Sequence, residues 1–419
     1  MKVREKAFAL EVQRSGKWPH LWRVAKRYAN PSIFDVQDRD ADELHGILSS
    51  LPLFSCMDIK VTALAKHPSD LQACRLVTVA GRADVASMTR VEVGHRCPSR
   101  SIRRGTAMPD DTPSELRIIA EGLRFPEGPV ALADGSVALV EIEACTVTRI
   151  AKDGARSVIA NVPGGPNGLA LGPDGMMVLC NNGGFAWHEE PGILRTIGQA
   201  KDYVTGRIER LDPQSGNIVR LYDSCDGERL KGPNDLVFDG QEGFWFSDLG
   251  KSRARDRDHG GVYWAAADGS RIVEAAFPVP GGANGIGLSP DGKVLYVAET
   301  ETGRLWAWDI LGSGQLRKAA WPSPHGGSVL CQFPGFRRLD SLAVAASGNI
   351  VVATLVSGEI NTVSPSGEIV HTVRMPDLMP TNICFGGPDL RTAYITLSTT
   401  GRLATMPWHE PGLALPYAI

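Results

Sequence analysis

After residue 120, apolar and polar positions repeat as a unit of two short apolar stretches separated by a turn. The unit occurs six times, and each copy begins at a Pro- or Gly-rich corner that carries one oxygen-bearing side chain. These six residues are Glu127, Asn167, Asn234, Asn284, Asp340 and Asn382. Short apolar runs bounded by turn residues are typical of β-strands. A strand-rich repeat at intervals of about 40 to 70 residues predicts the blades of a β-propeller, because one such unit cannot bury its own faces.

The six marked residues are predicted to meet at one end of the ring. Equivalent positions in successive blades of a propeller face the same central axis. We therefore expect the six oxygen-bearing side chains around one mouth of the central channel, where a hard cation or a polar substrate would bind. Residues 114–122, SELRIIAEG, are predicted to supply the outer strand of the last blade. The predicted fold of residues 114–419 is therefore a mainly β, six-bladed propeller.

Residues 1–69 follow a different pattern. Apolar residues at helical spacing predict a first helix that includes residues 7–12 and a second that includes residues 44–51. Residues 20–29 and 31–37 form two strand-like runs between them, and residues 57–65 alternate as a strand. This order predicts a small ferredoxin-like α+β domain that lacks its first strand. Residues 70–113 are predicted to be a linker, of which residues 75–80 could supply the missing strand, as could another chain.

Composition limits the classes of function. The chain has 419 residues, more than one hydrophobic core usually organises, which agrees with two domains. A net charge of −3 gives no indication of a nucleic-acid partner. No apolar run approaches the roughly 18 residues of a membrane-spanning helix, and the charged N-terminus lacks a signal-peptide pattern. Eight scattered cysteines without metal-binding spacing favour a reducing compartment, so we expect a cytoplasmic protein without membrane contact.

The N-terminal segment resembles muconolactone isomerase. The resemblance rests on REKAFALEVQRSGKWPHLWRV, YANPSIFDV, LHGILSSLPLF and MDIKVTALAKHPS, and it covers nearly all of residues 3–69. It implies a cofactor-free proton shift that converts muconolactone into 3-oxoadipate enol-lactone, assembly into homo-oligomers, and Glu5 as the candidate catalytic base. Pro31 and Cys56 depart from the family, whose members usually have tyrosines there. Alternatively, Glu5 is a first-turn carboxylate favoured by the helix dipole, and the domain is an inactive oligomerisation module.

The repeat region resembles the gluconolactonase/regucalcin/luciferin-regenerating-enzyme family. The resemblance rests on PEGPV, GPNDLVFD, ANGIGLSPDGKVLYVAET and LDSLAV, which fall in four different blades. It implies a propeller that holds one divalent metal at the top of its channel and hydrolyses lactones. The ligands implied by this resemblance are Glu127, Asn234, Asn284 and Asp340, with Asp340 also the candidate general base. An all-oxygen set suits Ca²⁺ first, then Mg²⁺ or Mn²⁺, with Zn²⁺ able to substitute.

Further residues are candidates for contacts around this metal. Asn167 and Asn382 occupy the remaining corners and are predicted to contact substrate, although Asn at such corners often bonds its own backbone. Arg229 is placed to pair with a substrate carboxylate, and His325 to line the mouth, although a loop histidine is more often merely exposed. Two further residues that directly follow ligands are predicted to orient them. They are Asp235 and Ser341.

The two resemblances together predict a fused pair of activities in aromatic catabolism. An isomerase of this kind would make an enol-lactone, and the propeller would hydrolyse 3-oxoadipate enol-lactone or a related lactone to the open acid. Two alternatives remain open. One is a sugar-lactone hydrolase with an inactive, oligomerising front domain. The other is a non-enzymatic scaffold propeller, against which the convergent ligand set argues.

Overall fold

The computed structural model describes residues 113–417 and, as backbone, Leu21–Arg23, Ser32–Asp35 and Leu76–Val77. The chain divides into two compact units, Met1–Gly105 and Thr106–Ile419. In the first unit, β1 (Leu21–Arg23), β2 (Ser32–Asp35) and β3 (Leu76–Val77) form an antiparallel sheet in the order β1–β2–β3. Each of the two predicted strand-like runs thus contains a strand, and part of segment 75–80 joins their sheet. Both predicted helices, the strand at 57–65 and Glu5 lie outside the described residues.

The second unit contains six antiparallel sheets of four or five strands, which confirms the predicted six-bladed propeller, and two small two-stranded hairpins. Its first strand is β4 (Arg117–Ala120). Blade 1 contains β5 (Pro126–Ala131), β6 (Val137–Glu141), β7 (Thr146–Ile150) and β8 (Arg156–Asn161). Blade 2 contains β9 (Pro166–Leu171) and β10 (Met177–Asn181), then an inserted hairpin of β11 (Phe185–Glu190) and β12 (Ile193–Gln199), then β13 (Arg207–Leu211) and β14 (Ile218–Tyr222). A small hairpin of β15 (Ser224–Cys225) and β16 (Glu228–Arg229) leads to blade 3.

The remaining blades follow the same order from the axis outwards. Blade 3 contains β17 (Pro233–Phe238), β18 (Gly243–Asp248), β19 (Gly260–Ala266) and β20 (Ile272–Val279). Blade 4 contains β21 (Ala283–Leu288), β22 (Val294–Glu299) and β23 (Arg304–Gly312), which pairs with both β24 (Gln315–Leu316) and β25 (Ser328–Gln332). Blade 5 contains β26 (Arg338–Val344), β27 (Ile350–Leu355), β28 (Glu359–Val363) and β29 (Ile369–Arg374). Blade 6 contains β30 (Pro380–Gly386), β31 (Thr392–Leu397) and β32 (Arg402–Pro407).

The ring closes through strands from opposite ends of the propeller. Strand β4 pairs antiparallel with β32, placing Ile118 opposite Ala404, and so becomes the fourth strand of blade 6. The prediction that residues 114–122 supply this strand is confirmed. The inner strands β5, β9, β17, β21, β26 and β30 each contact the next, and β30 returns to β5. Because the ring is closed, every blade packs against a neighbouring blade on both of its faces.

Apolar side chains fill the spaces between neighbouring blades. The tryptophans of β18, β19 and β23 are buried in one cluster that joins blades 3 and 4. They are Trp245, Trp264, Trp306 and Trp308. A second cluster joins blades 1 and 2 and includes Phe125, Val140 and Leu179. Each sheet therefore depends on its neighbours for a core, as a repeat of such thin units requires.

Helical structure in residues 113–417 is confined to one 3₁₀ turn, Pro173–Gly175. Across the described parts of the chain, no helix has the length and apolar character needed to cross a membrane.

Candidate metal centre

The six marked residues stand near the start of the six inner strands. Glu127, for example, is the second residue of β5, and Asp340 is the third of β26. In every blade the pairing of the first two strands shifts register at or next to the marked residue. Such bulges re-aim a side chain and increase the local twist. The repeated shift explains how one polar residue per blade comes to be buried at the axis.

Three glycines allow the inner strands to approach closely at this level. A Cβ on Gly128 would lie 2.5 Å from the carbonyl oxygen of Asn167, and one on Gly168 the same distance from that of Asn234. A Cβ on Gly285 would lie 2.6 Å from the carbonyl oxygen of Asp340. These distances are too short for any side chain. The glycines that follow three of the marked residues therefore permit the tight ring that holds the site together.

The centre concentrates buried negative charge. Glu127 is 2% exposed and Asp340 is 8% exposed. Burial raises the pKa of Glu127, and burial together with the charge of Glu127 raises the pKa of Asp340 well above its usual range. Burial, with a further contribution from Glu127, also raises the pKa of Asp235 to about 7. Three buried carboxyl groups are therefore unfavourable in their ionised forms, and a bound cation would stabilise those forms.

Hydrogen bonds orient two of the predicted ligands. The backbone N–H of Gly128 and the Nδ2 of Asn382 both donate to Oε2 of Glu127, at 2.7 and 2.8 Å. Asn284 donates from Nδ2 to Oγ1 of Thr300 at 3.1 Å. Each side chain is thus held through one of its polar atoms, and Oδ1 of Asn284 remains as an acceptor on the other side.

Unpartnered oxygens provide the test of whether a cation fits. In the described part of the chain, Oδ1 of Asn234 and Oδ1 of Asn284 are buried and have no hydrogen-bond partner. A buried acceptor without a partner costs free energy, and so it calls for an explanation such as an ion. No group of three or more His, Cys, Asp or Glu side chains among the described residues is arranged to share a metal. The donor set therefore needs both amide oxygens, and two carboxylates with two amides suit a hard divalent cation.

The other candidate residues divide into two groups. Asn167, Asp235, Ser341 and Asn382 are all buried at the axial level. Asn382 accepts from the N–H of Ile383 at 2.8 Å while donating to Glu127, so both ends of its amide serve the protein. Asp235 accepts from the N–H of Leu236 at 2.9 Å. These bonds place Asn382 and Asp235 in support of the centre.

Arg229 and His325 occupy different surroundings. Arg229 is exposed on β16, in the small hairpin before blade 3. His325 is buried, with its ring centroid 4.4 Å from that of Trp306 and 5.1 Å from that of Trp308. Both tryptophans belong to β23, the third strand of blade 4. His325 therefore packs against the third strand of blade 4, and its Nδ1 accepts from the backbone N–H of Gly327 at 3.2 Å.

A cavity of about 920 Å³ lies at the axis of the ring, because all six inner strands contribute to its lining. Its lining comes mainly from the inner strands and includes Asp235 and Asn382. Residues 413–416 also line the cavity. Leu413 ties this segment to blade 5, because its backbone N–H donates to the carbonyl oxygen of Val344 at 2.8 Å. Most of the wall is apolar, so the polar groups near the ligands are its distinctive chemistry.

The sequence pattern left two features of the site unrecognised. The register shifts depend on strand pairing, which cannot be counted along one strand. The hairpin β11–β12 is the second feature. It lengthens the interval between Asn167 and Asn234, and this unequal spacing of the repeat is the signal from which an insertion could have been predicted. The hairpin packs through Trp187 against Phe125, with ring centroids 5.2 Å apart, so an insertion in blade 2 reaches blade 1.

Comparison with known families divides the chain in two. The sequence profile described as the SMP-30/Gluconolactonase/LRE-like region matches residues 125–399, and that of muconolactone delta-isomerase matches residues 1–70. The N-terminal part is 57% identical over 72 residues to muconolactone delta-isomerase 1 of Acinetobacter lwoffii, covering 17% of this chain and 73% of that protein. A gluconolactonase of Zymomonas mobilis is 23% identical over 319 residues, covering 69% of this chain and 80% of that protein.

Solved structures share the propeller fold. A gluconolactonase from Xanthomonas campestris superposes with a TM-score of 0.54 at 21% identity, covering 70% of this chain and 88% of that one. Regucalcin from Agrobacterium tumefaciens, described as a calcium-binding protein, superposes with a TM-score of 0.55 at 17% identity, covering 71% and 97%.

Proposed function

Because the chain belongs to the SMP-30/gluconolactonase/LRE-like family, we propose that its propeller is a metal-dependent hydrolase of lactones. The observation that carries this proposal is the pair of buried, unpartnered amide oxygens on Asn234 and Asn284 beside the carboxylates of Glu127 and Asp340. A scaffold propeller has no use for such a set, since burying these groups without a ligand is costly.

Ca²⁺ is the proposed native metal. Glu127, Asn234, Asn284 and Asp340 would hold it through oxygen, the donor atom that Ca²⁺ prefers, and Mg²⁺ or Mn²⁺ are the next candidates. When bound, the cation would polarise the lactone carbonyl and stabilise the negative charge that develops on its oxygen.

The protein's own groups would divide the remaining work. Asp340, the more exposed of the two carboxylate ligands, would take the proton from the attacking water. Glu127 is fixed by Gly128 and Asn382, so its role would be to keep one carboxylate oxygen directed at the centre. The apolar wall of the channel would limit the water that reaches the site to the molecules held by polar groups.

The proposed substrate is 3-oxoadipate enol-lactone or a close relative. The chain carries a muconolactone isomerase domain at its N-terminus. An isomerase of that family would produce an enol-lactone, and the propeller would then open it, with Glu5 as the proposed base of the first step. The similarity to a gluconolactonase favours a second candidate, a sugar lactone such as gluconolactone.

An NMR time course with the purified full chain tests this proposal. Muconolactone, enol-lactone prepared in situ and gluconolactone are each incubated with and without a metal chelator. We expect enol-lactone to be hydrolysed, and chelation to make it accumulate from muconolactone. Faster, chelator-sensitive opening of gluconolactone would instead select the sugar-lactone function. Inertness towards all three lactones with calcium present would overturn the hydrolase proposal.

The variant Glu127→Gln links the activity to the proposed centre. It keeps the size of the side chain and removes one charge, so we expect turnover to fall by about 100-fold or more. The matched control is Glu242→Gln, at an exposed glutamate of the turn between β17 and β18. Equal turnover by both variants would contradict a role for the Glu127 carboxylate.

A further inference from the structure

A buried lysine stands on the face of the propeller that carries the centre. Lys251 follows β18 and is 1% exposed. Its Nζ donates to Oδ1 of Asn182 at 3.0 Å and to the carbonyl oxygen of Gly184 at 2.8 Å. Among the described residues no carboxylate lies within ion-pair distance of this ammonium group. An ammonium group has three donors, so one N–H remains after these two bonds.

The neighbouring asparagine also has a donor without an acceptor. Oδ1 of Asn182 accepts from Lys251 and, at 2.8 Å, from the backbone N–H of Gly184. Two donors on one atom fix the orientation of the amide, so Nδ2 is the free end. Asn182 is 1% exposed, and its Nδ2 has no hydrogen-bond partner in the described part of the chain. Two buried donors therefore stand within a few ångströms of each other and lack an acceptor.

The pair lies next to the corners that bring two marked residues to the axis. The backbone N–H of Asn182 donates to the carbonyl oxygen of Gly165, two residues before Asn167, at 2.8 Å. The carboxylate of Asp248, three residues before Lys251, accepts from the N–H of Gly232, two residues before Asn234, at 2.7 Å. Lys251 and Asn182 thus sit where blades 2 and 3 meet, at the end of the ring that holds the candidate metal centre.

The inserted hairpin covers this position. The ring of Phe185, the first residue of β11, has its centroid 4.2 Å from Nζ of Lys251, and that of Tyr203 is 5.3 Å away. The hairpin also reaches distant parts of the same face, with hydrogen bonds from Leu194 N to Thr399 O and from Gln199 N to Ser252 O. It therefore extends over blades 6, 1, 2 and 3 and forms a cover beside the mouth. The two residues that precede it are Gly183 and Gly184, which have φ values of 79° and 102°.

We propose that Lys251 and Asn182 bind a carboxylate carried by the lactone substrate, beneath the hairpin β11–β12. This inference rests on the proposed function and narrows its substrate to lactones with an acidic side chain. The carboxylate would accept from the free N–H of Lys251 and from Nδ2 of Asn182, and so complete both donors. Neutral sugar lactones lack this group, so the pair would discriminate between the two candidate substrate classes.

The charges around Lys251 support this assignment. Burial lowers the pKa of Lys251 to about 7, against a smaller opposing effect of Asp248 and Asp258. Asp248 is already occupied by three backbone N–H groups, those of Lys231, Gly232 and Gly250. Asp258 accepts from the guanidinium of Arg253. A lysine buried without its own counter-ion is stabilised in its charged form when an anion arrives.

Calorimetric binding to the full chain in calcium buffer tests the proposal. The probe is a γ-lactam that carries a carboxymethyl group, which resists hydrolysis, and its partner is the same lactam with that group as a primary amide. We expect the wild-type protein to bind the acid about 10- to 100-fold more tightly than the amide. Lys251→Met is expected to remove this preference and Lys251→Arg to retain part of it. The control Lys293→Met, at an exposed lysine of blade 4, is expected to keep it in full.

The outcomes separate this inference from the proposed function, because turnover of 3-oxoadipate enol-lactone, whose side chain is a carboxymethyl group, is measured alongside. Hydrolysis without any preference for the acid probe overturns the carboxylate site and leaves the hydrolase standing. If the wild type prefers the acid, Lys251→Met removes this preference and no lactone is hydrolysed, the carboxylate site is supported and the hydrolase proposal is contradicted. If Lys251→Met melts at a much lower temperature, Asn182→Ala provides the second test, and an unchanged preference in that folded variant contradicts the proposal.

Discussion

At the level of single residues, the centre depends on polar side chains that are buried with one end satisfied. Asn284 is held through Nδ2 by Thr300, and Glu127 is held through Oε2 by Gly128 and Asn382. Oriented groups that retain a free acceptor resemble a site prepared for an ion more than a structural network, in which every polar atom would be paired. Substitutions that keep the shape of a side chain and change one of its chemical properties, such as its charge, are therefore the most informative.

The proposed general base can be separated from its neighbour. Asp340→Asn keeps an oxygen for the cation but cannot accept a proton from water, so we expect kcat to fall by about 100-fold or more with a small change in KM. The matched control is Asp235→Asn, a second buried aspartate near Glu127. Steady-state kinetics of both variants decide which aspartate is the general base. A greater loss of kcat in Asp235→Asn than in Asp340→Asn would assign that role to Asp235.

His325 should contribute to stability and not to turnover. Burial lowers its pKa from 6.5 to about 4, with Glu299, Arg304 and Lys318 as the charged groups that act on it. The unfolded chain binds its proton first, so the stability linked to His325 is present above pH 6.5 and lost as pH falls to about 4. We expect His325→Leu to reduce that acid slope in urea unfolding, with kcat/KM changed by less than about twofold. A large loss of kcat/KM would restore His325 as a substrate contact.

At the level of strands, glycine sets how closely the inner strands approach. Gly285 lies on β21, against the backbone of β26 at Asp340 and Leu342. We expect Gly285→Ala to destabilise the propeller by about 1–3 kcal/mol and to weaken metal binding, because β26 must move outwards with Asp340. Gly312→Ala is the control, since a Cβ there meets no atom within 4 Å. Urea unfolding with and without calcium measures both effects, and equal stability of the two variants would exclude this packing role.

The sequence predicted the strands better than it predicted their pairing. Turn residues and apolar runs are local, so the six units and the closing strand at 117–120 could be recognised from the chain alone. The corner residues were also visible, because each follows a Pro- or Gly-rich turn. The register shifts beside them and the contact of His325 with Trp306 depend on partners far away in sequence, which no single strand encodes. Lys251 was missed for the same reason, since its acceptors come from another blade.

At the level of the whole propeller, closure and the centre reinforce each other. Strand β4, which precedes blade 1 in the sequence, pairs with β32 of blade 6 and so closes the ring. Asn382 of blade 6 also donates a hydrogen bond to Glu127 of blade 1. A cation bound by residues from blades 1, 3, 4 and 5 would therefore add a further tie between sheets that already meet through apolar cores and polar contacts such as that of Arg338 with Glu301. The same argument implies that chelation acts on the stability of the ring as well as on its activity.

Calcium is accordingly expected to raise the thermal midpoint of the propeller. A ligand at 100 times its dissociation constant stabilises the folded state by about 2.7 kcal/mol, which corresponds to several degrees for a domain of this size. Glu127→Gln should lose most of this increase, while without metal it should be at least as stable as the wild type, because one buried charge has been removed. Scanning calorimetry of the wild type, Glu127→Gln and the exposed control Glu242→Gln measures the effect. An equal calcium-dependent increase in all three would place the binding site elsewhere in the chain.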